Sequence, residues 1–220
     1  YGPRASILTG DYWFARAFRT LLQYEGTHLL PLYADAIQAL SEGEMLQLEK
    51  SRTLDLSLKD YYTICKNKTA SLFHAAMVSG ALSVRGSEVS SAYRPVFEKA
   101  AYHMGMAFQI RDDMMDYQPA ANVGKPYYKD IAESKITLPL LGALSNGGDS
   151  QNRPRVASWI RQLEQGDRSA LDQIMGFVDK YQGLEFAAGV LHHHQIQAKE
   201  QISRLPGSPW QEALLKIAGM

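Results

Sequence analysis

Cysteine is almost absent from this sequence, which has only Cys65 among its 220 residues. One cysteine cannot form an internal disulfide, and a chain without disulfides is typical of a reducing compartment. We therefore expect Cys65 to be a buried thiol and the protein to be cytoplasmic.

The sequence also lacks a net charge and a long apolar run. Lys and Arg together number 23, as do Asp and Glu, so the formal net charge is zero. This balance gives no electrostatic reason to expect nucleic acid or an anionic membrane as a partner. No uninterrupted apolar segment approaches the roughly 18 residues of a membrane span, so we predict no span.

Strand patterns are scarce, because no clean alternation of apolar and polar residues is bounded by hairpin dipeptides. Apolar residues instead recur at helical spacing in residues 12–25, 32–50, 58–84, 91–117, 136–144, 155–165, 169–181 and 184–204. Asp11 is a suitable N-cap for the first of these helices, and Ser57 or Asp60 for the third. We predict an all-α fold in one domain covering residues 1–220, with a loop at 145–150.

Three carboxylates, Asp112, Asp113 and Asp116, lie near the end of the helix predicted at 91–117. At about 3.6 residues per turn, Asp112 and Asp116 share one face with Gln109, and Asp113 lies about 100° further round. A solvated acidic face is the ordinary interpretation, but the flanking residues are largely methionine, alanine, phenylalanine and isoleucine. In such surroundings the carboxylates repel one another unless a cation joins them. Mg²⁺ suits them best, since it is commonly held by one or two carboxylates with phosphate oxygens and water.

Lysines occur where a diphosphate bound to such a metal would need them. Lys125 and Lys135 follow the acidic motif in a segment that contains Gly and Pro, and Lys68 precedes Thr69 on an earlier helix. Lysines alone are most often solvated surface charges. Together with the acidic motif, they favour a diphosphate-binding site.

Five motifs occur in an order and spacing that resemble those of the trans-isoprenyl diphosphate synthases, also called polyprenyl synthetases. They are residues 8–12, 43–48, 68–73 and 108–116 and the lysine-containing segment 124–139. The resemblance implies an isoprenoid-synthase-type bundle of long antiparallel helices around a deep central cavity. It also implies a homodimer.

The resemblance further implies a reaction, the head-to-tail condensation of isopentenyl diphosphate with an allylic diphosphate such as geranyl, farnesyl or geranylgeranyl diphosphate. By this resemblance, Asp112, Asp113 and Asp116 would bind Mg²⁺, and Asp112 is the ligand we favour most. Lys68, Lys125 and Lys135 would contact the diphosphate. Thr69 and Gln109 match positions that lie beside the reacting carbons, so the residues expected to be catalytic are Asp112, Asp113, Lys68, Thr69 and Gln109.

The sequence departs from the family in its first part. Members carry two aspartate-rich motifs, and the first should precede the segment at residues 1–8, so we expect an N-terminal region to be missing from this sequence. Smaller departures are Tyr127 and Tyr128, where a small residue and glycine are common, and Ser134, where glycine often precedes the lysine. We expect the backbone before Asp130 to follow another path there. Product chain length stays open.

Two other functions remain as alternatives. A non-catalytic subunit that modulates an active prenyl diphosphate synthase would fit the missing first motif. A class I terpene cyclase shares the fold and the magnesium chemistry, but it usually pairs one aspartate motif with an Asn/Ser/Glu triad and lacks the Lys68-Thr69 and Gly124-Lys125 signatures.

Several polar or aromatic residues receive structural interpretations. Consecutive histidines on a helix point about 100° apart and cannot converge on one ion, so we expect residues 192–194 to lie at the surface. We expect Trp13, Trp159 and Trp210 to be packing residues. Glu44 and Gln47 could form a polar spot inside the bundle, and we assign them no catalytic role.

Overall fold

The prediction of an all-α fold is confirmed by a computed structural model of the chain, which describes residues 2–23, 29–83, 87–117 and 129–219. No strand occurs within these ranges. The elements in chain order are α1 (Gly2–Leu21), α2 (Leu29–Thr53), α3 (Leu58–Cys65), a π-helix (Lys66–Ala70), α4 (Ser71–Leu82), α5 (Ser87–Met115), α6 (Lys129–Ala132), α7 (Leu138–Gly147), α8 (Asp149–Glu164), α9 (Ser169–Lys180), α10 (Gly183–Ile202) and α11 (Pro209–Ala218).

Helix α3 begins where the sequence predicted, at a capping box. The Ser57 hydroxyl accepts a hydrogen bond from the Asp60 backbone N–H at 3.1 Å, and the Asp60 carboxylate accepts one from the Ser57 N–H at 3.1 Å. Two amide groups that would lack partners at the first turn are thereby satisfied. Asp11, by contrast, caps nothing, since α1 already begins at Gly2.

Residues 145–150 were predicted to form a loop, and this prediction is wrong. Helix α7 continues to Gly147, and only Gly148 separates it from α8. Gly148 has φ of 88°, which glycine adopts without steric cost. The Asn152 side chain donates to the carbonyls of Gly147 and Gly148 at 2.7 and 3.1 Å, so the end of α7 is satisfied without a longer turn. Helix α11, which starts after the Ser208 N-cap, was not predicted from the sequence.

The core is centred on α7, where every residue from Leu138 to Leu144 is buried. A helix that is apolar on all sides belongs inside the bundle. Helix α10 packs against both α7 and α5, and α5 packs in turn against α4. Met106 and Ile110 of α5 are fully buried in this core, which fixes the helix that carries the acidic motif. Cys65 is buried as predicted.

Helix α1 contributes nothing to the described core. None of its residues is buried, and Ile7, Leu8, Tyr12 and Trp13 are each more than half exposed. Trp210 of α11 is 80% exposed, so the prediction that Trp13 and Trp210 are packing residues is wrong for the described part of the chain, while Trp159 is buried as expected. Within the same residues, no helix combines the length and apolarity needed to cross a bilayer.

The histidine run at 192–194 is only partly at the surface. His192 and His193 are exposed, but His194 is buried against α5, where its Nδ1 lies 2.9 Å from Nδ1 of His103. The prediction failed for His194 because α10 is covered by α5 on one face. Burial, followed by the neighbouring His103 and His193, lowers the pKa of His194 to about 4.

We expect the protein to lose stability in acid through this histidine. Because the folded-state pKa lies below the usual 6.5, stability from His194 is complete above about pH 6.5 and falls as pH drops toward 4, by roughly 3 kcal/mol. Unfolding in urea at several pH values measures this dependence. His194→Asn, which keeps a polar partner for His103, should flatten it, whereas His192→Asn should not. Equal acid sensitivity in wild type and His194→Asn would contradict the assignment.

Candidate active site

A π-helical turn positions two of the predicted site residues, Lys68 and Thr69. It spans Lys66–Ala70 between α3 and α4, and such turns are frequently found at functional sites because the extra residue changes where side chains point. Neighbouring helices pass it very closely. A Cβ atom added at Gly43 of α2 would lie 2.8 Å from the Lys68 backbone nitrogen, and one added at Gly105 of α5 would lie 2.5 Å from Ala70 Cα.

The Lys68 ammonium group is held from α2. Its Nζ donates to Oε1 of Gln47 at 2.7 Å and lies 2.7 Å from Oε2 of Glu44. Glu44 and Gln47, predicted only as a polar spot in the bundle, therefore set the direction of the lysine side chain. Their i, i+3 spacing on one helix face was the available signal.

A chain of hydrogen bonds runs inward from Thr69. Its hydroxyl donates to Oε1 of Gln109 at 2.6 Å, and Nε2 of Gln109 donates to Oδ1 of Asp113 at 2.8 Å. The Tyr61 hydroxyl donates to the other oxygen of Asp113, Oδ2, at 2.7 Å. Tyr61 was not predicted from the sequence to be a site residue. Tyr61 lies four residues before Cys65, which was predicted to be buried, and this i, i+4 spacing places Tyr61 on the inward face of α3.

Burial governs the chemistry of this hydrogen-bonded chain. Asp113 is 4% exposed, and the loss of solvation, with smaller effects of Asp130 and Asp112, raises its pKa to about 7. Desolvation likewise raises the pKa of Tyr61 well above its usual value of 10, so its hydroxyl remains a donor at neutral pH. Both oxygens of Asp113 thus face internal donors, an arrangement that does not favour direct binding of a metal.

Asp112 and Asp116 differ from Asp113 in being only half-buried. Oδ2 of Asp116 accepts a hydrogen bond from the Asp130 backbone N–H at 3.1 Å, which ties the end of α5 to the start of α6. Among the described residues, no three His, Cys, Asp or Glu side chains are grouped so that they could hold a metal ion. Two carboxylates completed by phosphate oxygens and water are nevertheless an ordinary Mg²⁺ site, and Asp112 and Asp116 provide that kind of oxygen donor.

Lys135 is held in the turn that leads into α7. Its Nζ lies 3.2 Å from Oδ1 of Asp130 and 2.6 Å from Oε2 of Glu133. Ser134, which precedes it, has φ of 58°, so the position uses the left-handed backbone that glycine adopts most easily. The Ser134 hydroxyl donates to the Glu164 carboxylate. Lys125, Tyr127 and Tyr128 lie outside the described residues.

One cleft brings most of these groups together. The cleft is partly open to solvent, and its walls include Lys50, Lys68, Gln109, Asp113 and Lys135. Lysines from α2, the π-helix and the turn before α7 thus border the same cleft, although 85 residues separate Lys50 from Lys135 in the sequence. This arrangement suits an anion with several negative oxygens, placed beside the Thr69–Gln109 pair.

Comparison with known proteins provides further evidence for the family to which the chain is similar. The sequence profile of the family described as Polyprenyl synthetase matches residues 1–177. The chain is 34% identical over 221 residues to octaprenyl diphosphate synthase of Haemophilus influenzae and 32% identical over 225 residues to that of Escherichia coli; each alignment covers 99% of this chain. The chain spans about two thirds of these relatives, 65% and 66% of their lengths.

A similar structure is that of a polyprenyl synthase from Caulobacter crescentus in complex with calcium and isoprenyl diphosphate. It superposes with a TM-score of 0.83 at 31% identity, covering 98% of this chain and 64% of that one. The resemblance stated from the sequence motifs is confirmed.

Proposed function

The chain belongs to the polyprenyl synthetase family, and we propose that it catalyses the condensation of isopentenyl diphosphate with an allylic diphosphate. The observation that carries this proposal is the cleft, which Lys68, Lys135 and Gln109 line together. Relatives named octaprenyl diphosphate synthase support the same reaction class.

The demanding step of this reaction is charge separation. The C1–O bond of the allylic substrate breaks, and its electron pair leaves with the diphosphate. The double bond of isopentenyl diphosphate then attacks the allylic cation, and loss of a proton gives a product longer by one isoprene unit. Lysines already fixed around the leaving group lower this barrier, since preorganised charges need no reorganisation when the new charge develops.

Each polar residue has a part in this proposal. Lys68 and Lys135 bind diphosphate oxygens, as does Lys125. The Thr69 hydroxyl oxygen and the Gln109 carbonyl present partial negative charge to the allylic cation. Nothing in this scheme needs a side-chain base, because the released diphosphate can take the proton.

We assign Mg²⁺ to the carboxylates at the end of α5, with Asp112 and Asp116 as its protein ligands. When bound, Mg²⁺ would supply positive charge against the leaving diphosphate. The related Caulobacter crescentus synthase was crystallised with calcium and isoprenyl diphosphate, which supports a divalent cation in this role.

The prenyl tail needs apolar surface next to the polar cleft. Leu72 and Phe108 are about half exposed, and the rings of Phe73 and Phe108 lie 5.6 Å apart across α4 and α5. Leu72 follows Thr69 by one turn, and Phe108 directly precedes Gln109. We propose that this strip receives the tail.

We further propose that the protein is a cytoplasmic homodimer. The support for a dimer is the apolar face of α1, where Ile7, Leu8 and Tyr12 are more than half exposed. Large apolar side chains exposed in this number along one helix are typical of an interaction site.

A radiolabel assay on the full-length protein tests the proposed reaction. Isopentenyl diphosphate carrying the label is incubated with geranyl, farnesyl or geranylgeranyl diphosphate and Mg²⁺, and the products are separated by chain length. We expect incorporation that stops when EDTA removes the metal. Consumption of the allylic substrate without isopentenyl diphosphate would indicate a terpene cyclase instead. Inactivity with all three substrates, together with binding to another synthase, would indicate a modulating subunit.

A further inference from the structure

We propose that Tyr61 and Asp113 are positioning residues that fix the orientation of the Gln109 amide in the active site. The inference rests on the proposed function, because it concerns which end of that amide faces the reacting carbons. It gives a role to Tyr61, which no motif contains. It also gives Asp113 a role different from that of Asp112 and Asp116.

The Gln109 amide needs such partners because its two ends have nearly the same shape. Oxygen and NH₂ can exchange places by rotation about the last side-chain bond, so only hydrogen bonding determines which one points outward. Oδ2 of Asp113 accepts the hydrogen bond from the Tyr61 hydroxyl, so Oδ1 faces Gln109 as an acceptor. Asp113, 2.8 Å from Nε2, therefore draws the NH₂ group inward and leaves the carbonyl oxygen facing Thr69.

Outward placement of the carbonyl oxygen has a direct chemical consequence. The oxygen carries partial negative charge and favours a developing allylic cation, whereas an outward NH₂ group would repel it. In a desolvated site, the Gln109 amide dipole therefore stabilises the transition state in one orientation and destabilises it in the reversed orientation. The orientation of the Asp113 carboxylate thus controls the electrostatic field at the reacting carbons, because it fixes the orientation of the Gln109 amide.

Tyr61 keeps the carboxylate in place. Its hydroxyl donates to Oδ2 of Asp113 at 2.7 Å, on the oxygen that Gln109 does not use. No described Lys or Arg forms a salt bridge with Asp113 within 4 Å. A buried carboxylate without such a partner depends on its hydrogen-bond donors, so loss of the Tyr61 hydroxyl would free Asp113 to rotate away from Gln109.

Three variants of the full-length protein test this assignment. Tyr61→Phe removes one donor, and Asp113→Asn leaves a single acceptor oxygen for two donors, the Tyr61 hydroxyl and the Gln109 NH₂ group. Tyr62→Phe is the matched control, because Tyr62 is a neighbouring, half-buried tyrosine outside the hydrogen-bonded chain. We expect kcat to fall about tenfold in Tyr61→Phe and about 100-fold in Asp113→Asn, in line with the sensitivity of catalysis to small misplacements. KM and the Mg²⁺ concentration for half-maximal rate should change less than about twofold, and Tyr62→Phe should match wild type.

A second measurement reports on the geometry without activity. In protein labelled with ¹⁵N-glutamine, the Gln109 side-chain NH₂ signal, identified by its loss in Gln109→Glu, should exchange slowly with water in wild type and faster in Tyr61→Phe. Rapid exchange in wild type would overturn the proposal, as would unchanged kcat in both variants. A raised Mg²⁺ requirement in Asp113→Asn would make Asp113 a metal ligand and also overturn it. If wild type were inactive yet exchange were slow, the proposed reaction would fail while the positioning geometry stood.

Discussion

Replacement of Asp112 by asparagine is expected to lower the rate of isopentenyl diphosphate incorporation by about 10³-fold. The substitution keeps the shape of the side chain and removes its charge, so a metal held there loses one of its charged carboxylate ligands. Metal-assisted charge stabilisation contributes several kcal/mol to such reactions, and each 1.4 kcal/mol is a factor of ten in rate. The loss should appear in kcat/KM at low Mg²⁺ and be partly recovered at high Mg²⁺.

A magnesium titration of the rate makes this prediction specific. Asp179→Asn provides the control, because Asp179 is an exposed aspartate in α9 and lies outside the acidic motif. It should behave as wild type at every Mg²⁺ concentration. If Asp112→Asn kept its rate within tenfold of wild type and its Mg²⁺ requirement unchanged, Asp112 would not be a metal ligand.

The helices could be predicted from the sequence because their signals are local. The capping box at Ser57 and Asp60 and the apolar periodicity of α5 each depend on residues within one or two turns. The same periodicity placed Asp112 and Asp116 on one face with Gln109. The i, i+4 spacing of Gln109 and Asp113 was a further local signal, but spacing alone could not show that Asp113 is buried.

The predictions that failed depended on tertiary packing, that is, on whether another helix covers a given helix face. His194 is buried because α5 covers one face of α10, and Trp13 is exposed because no described element covers that face of α1. The π-helix is a further example. It interrupts a segment predicted as one helix, residues 58–84, and no local residue pattern predicts it. Its neighbours at Gly43 and Gly105 are distant in sequence, so their close approach emerges only in the folded chain.

The closeness of that approach makes Gly105 a critical position, and Gly105→Ala is expected to impair both stability and activity. The added methyl group would lie 2.5 Å from Ala70 Cα and 2.7 Å from its Cβ, so α5 and the π-helix must move apart. Overpacking of this kind costs about 1–3 kcal/mol, against the gain of up to about 1 kcal/mol that alanine brings to a helix. We expect the free energy of unfolding, measured in urea, to fall by about 1–2 kcal/mol.

The same displacement of α5 from the π-helix should also slow the reaction. Ala70 follows Thr69 directly, and Gly105 lies one turn before Gln109 on the same face of α5, so separating the two backbones lengthens the 2.6 Å hydrogen bond between Thr69 and Gln109. Misplacement of reacting groups by about 1 Å can reduce a rate about 100-fold, and we expect kcat to fall by that order. Gly176→Ala separates helix propensity from packing, because a methyl group there meets nothing within 4 Å and should stabilise the protein. If Gly105→Ala were as stable and as active as Gly176→Ala, α5 and the π-helix would have room to spare, and their close contact would not be what holds Thr69 against Gln109.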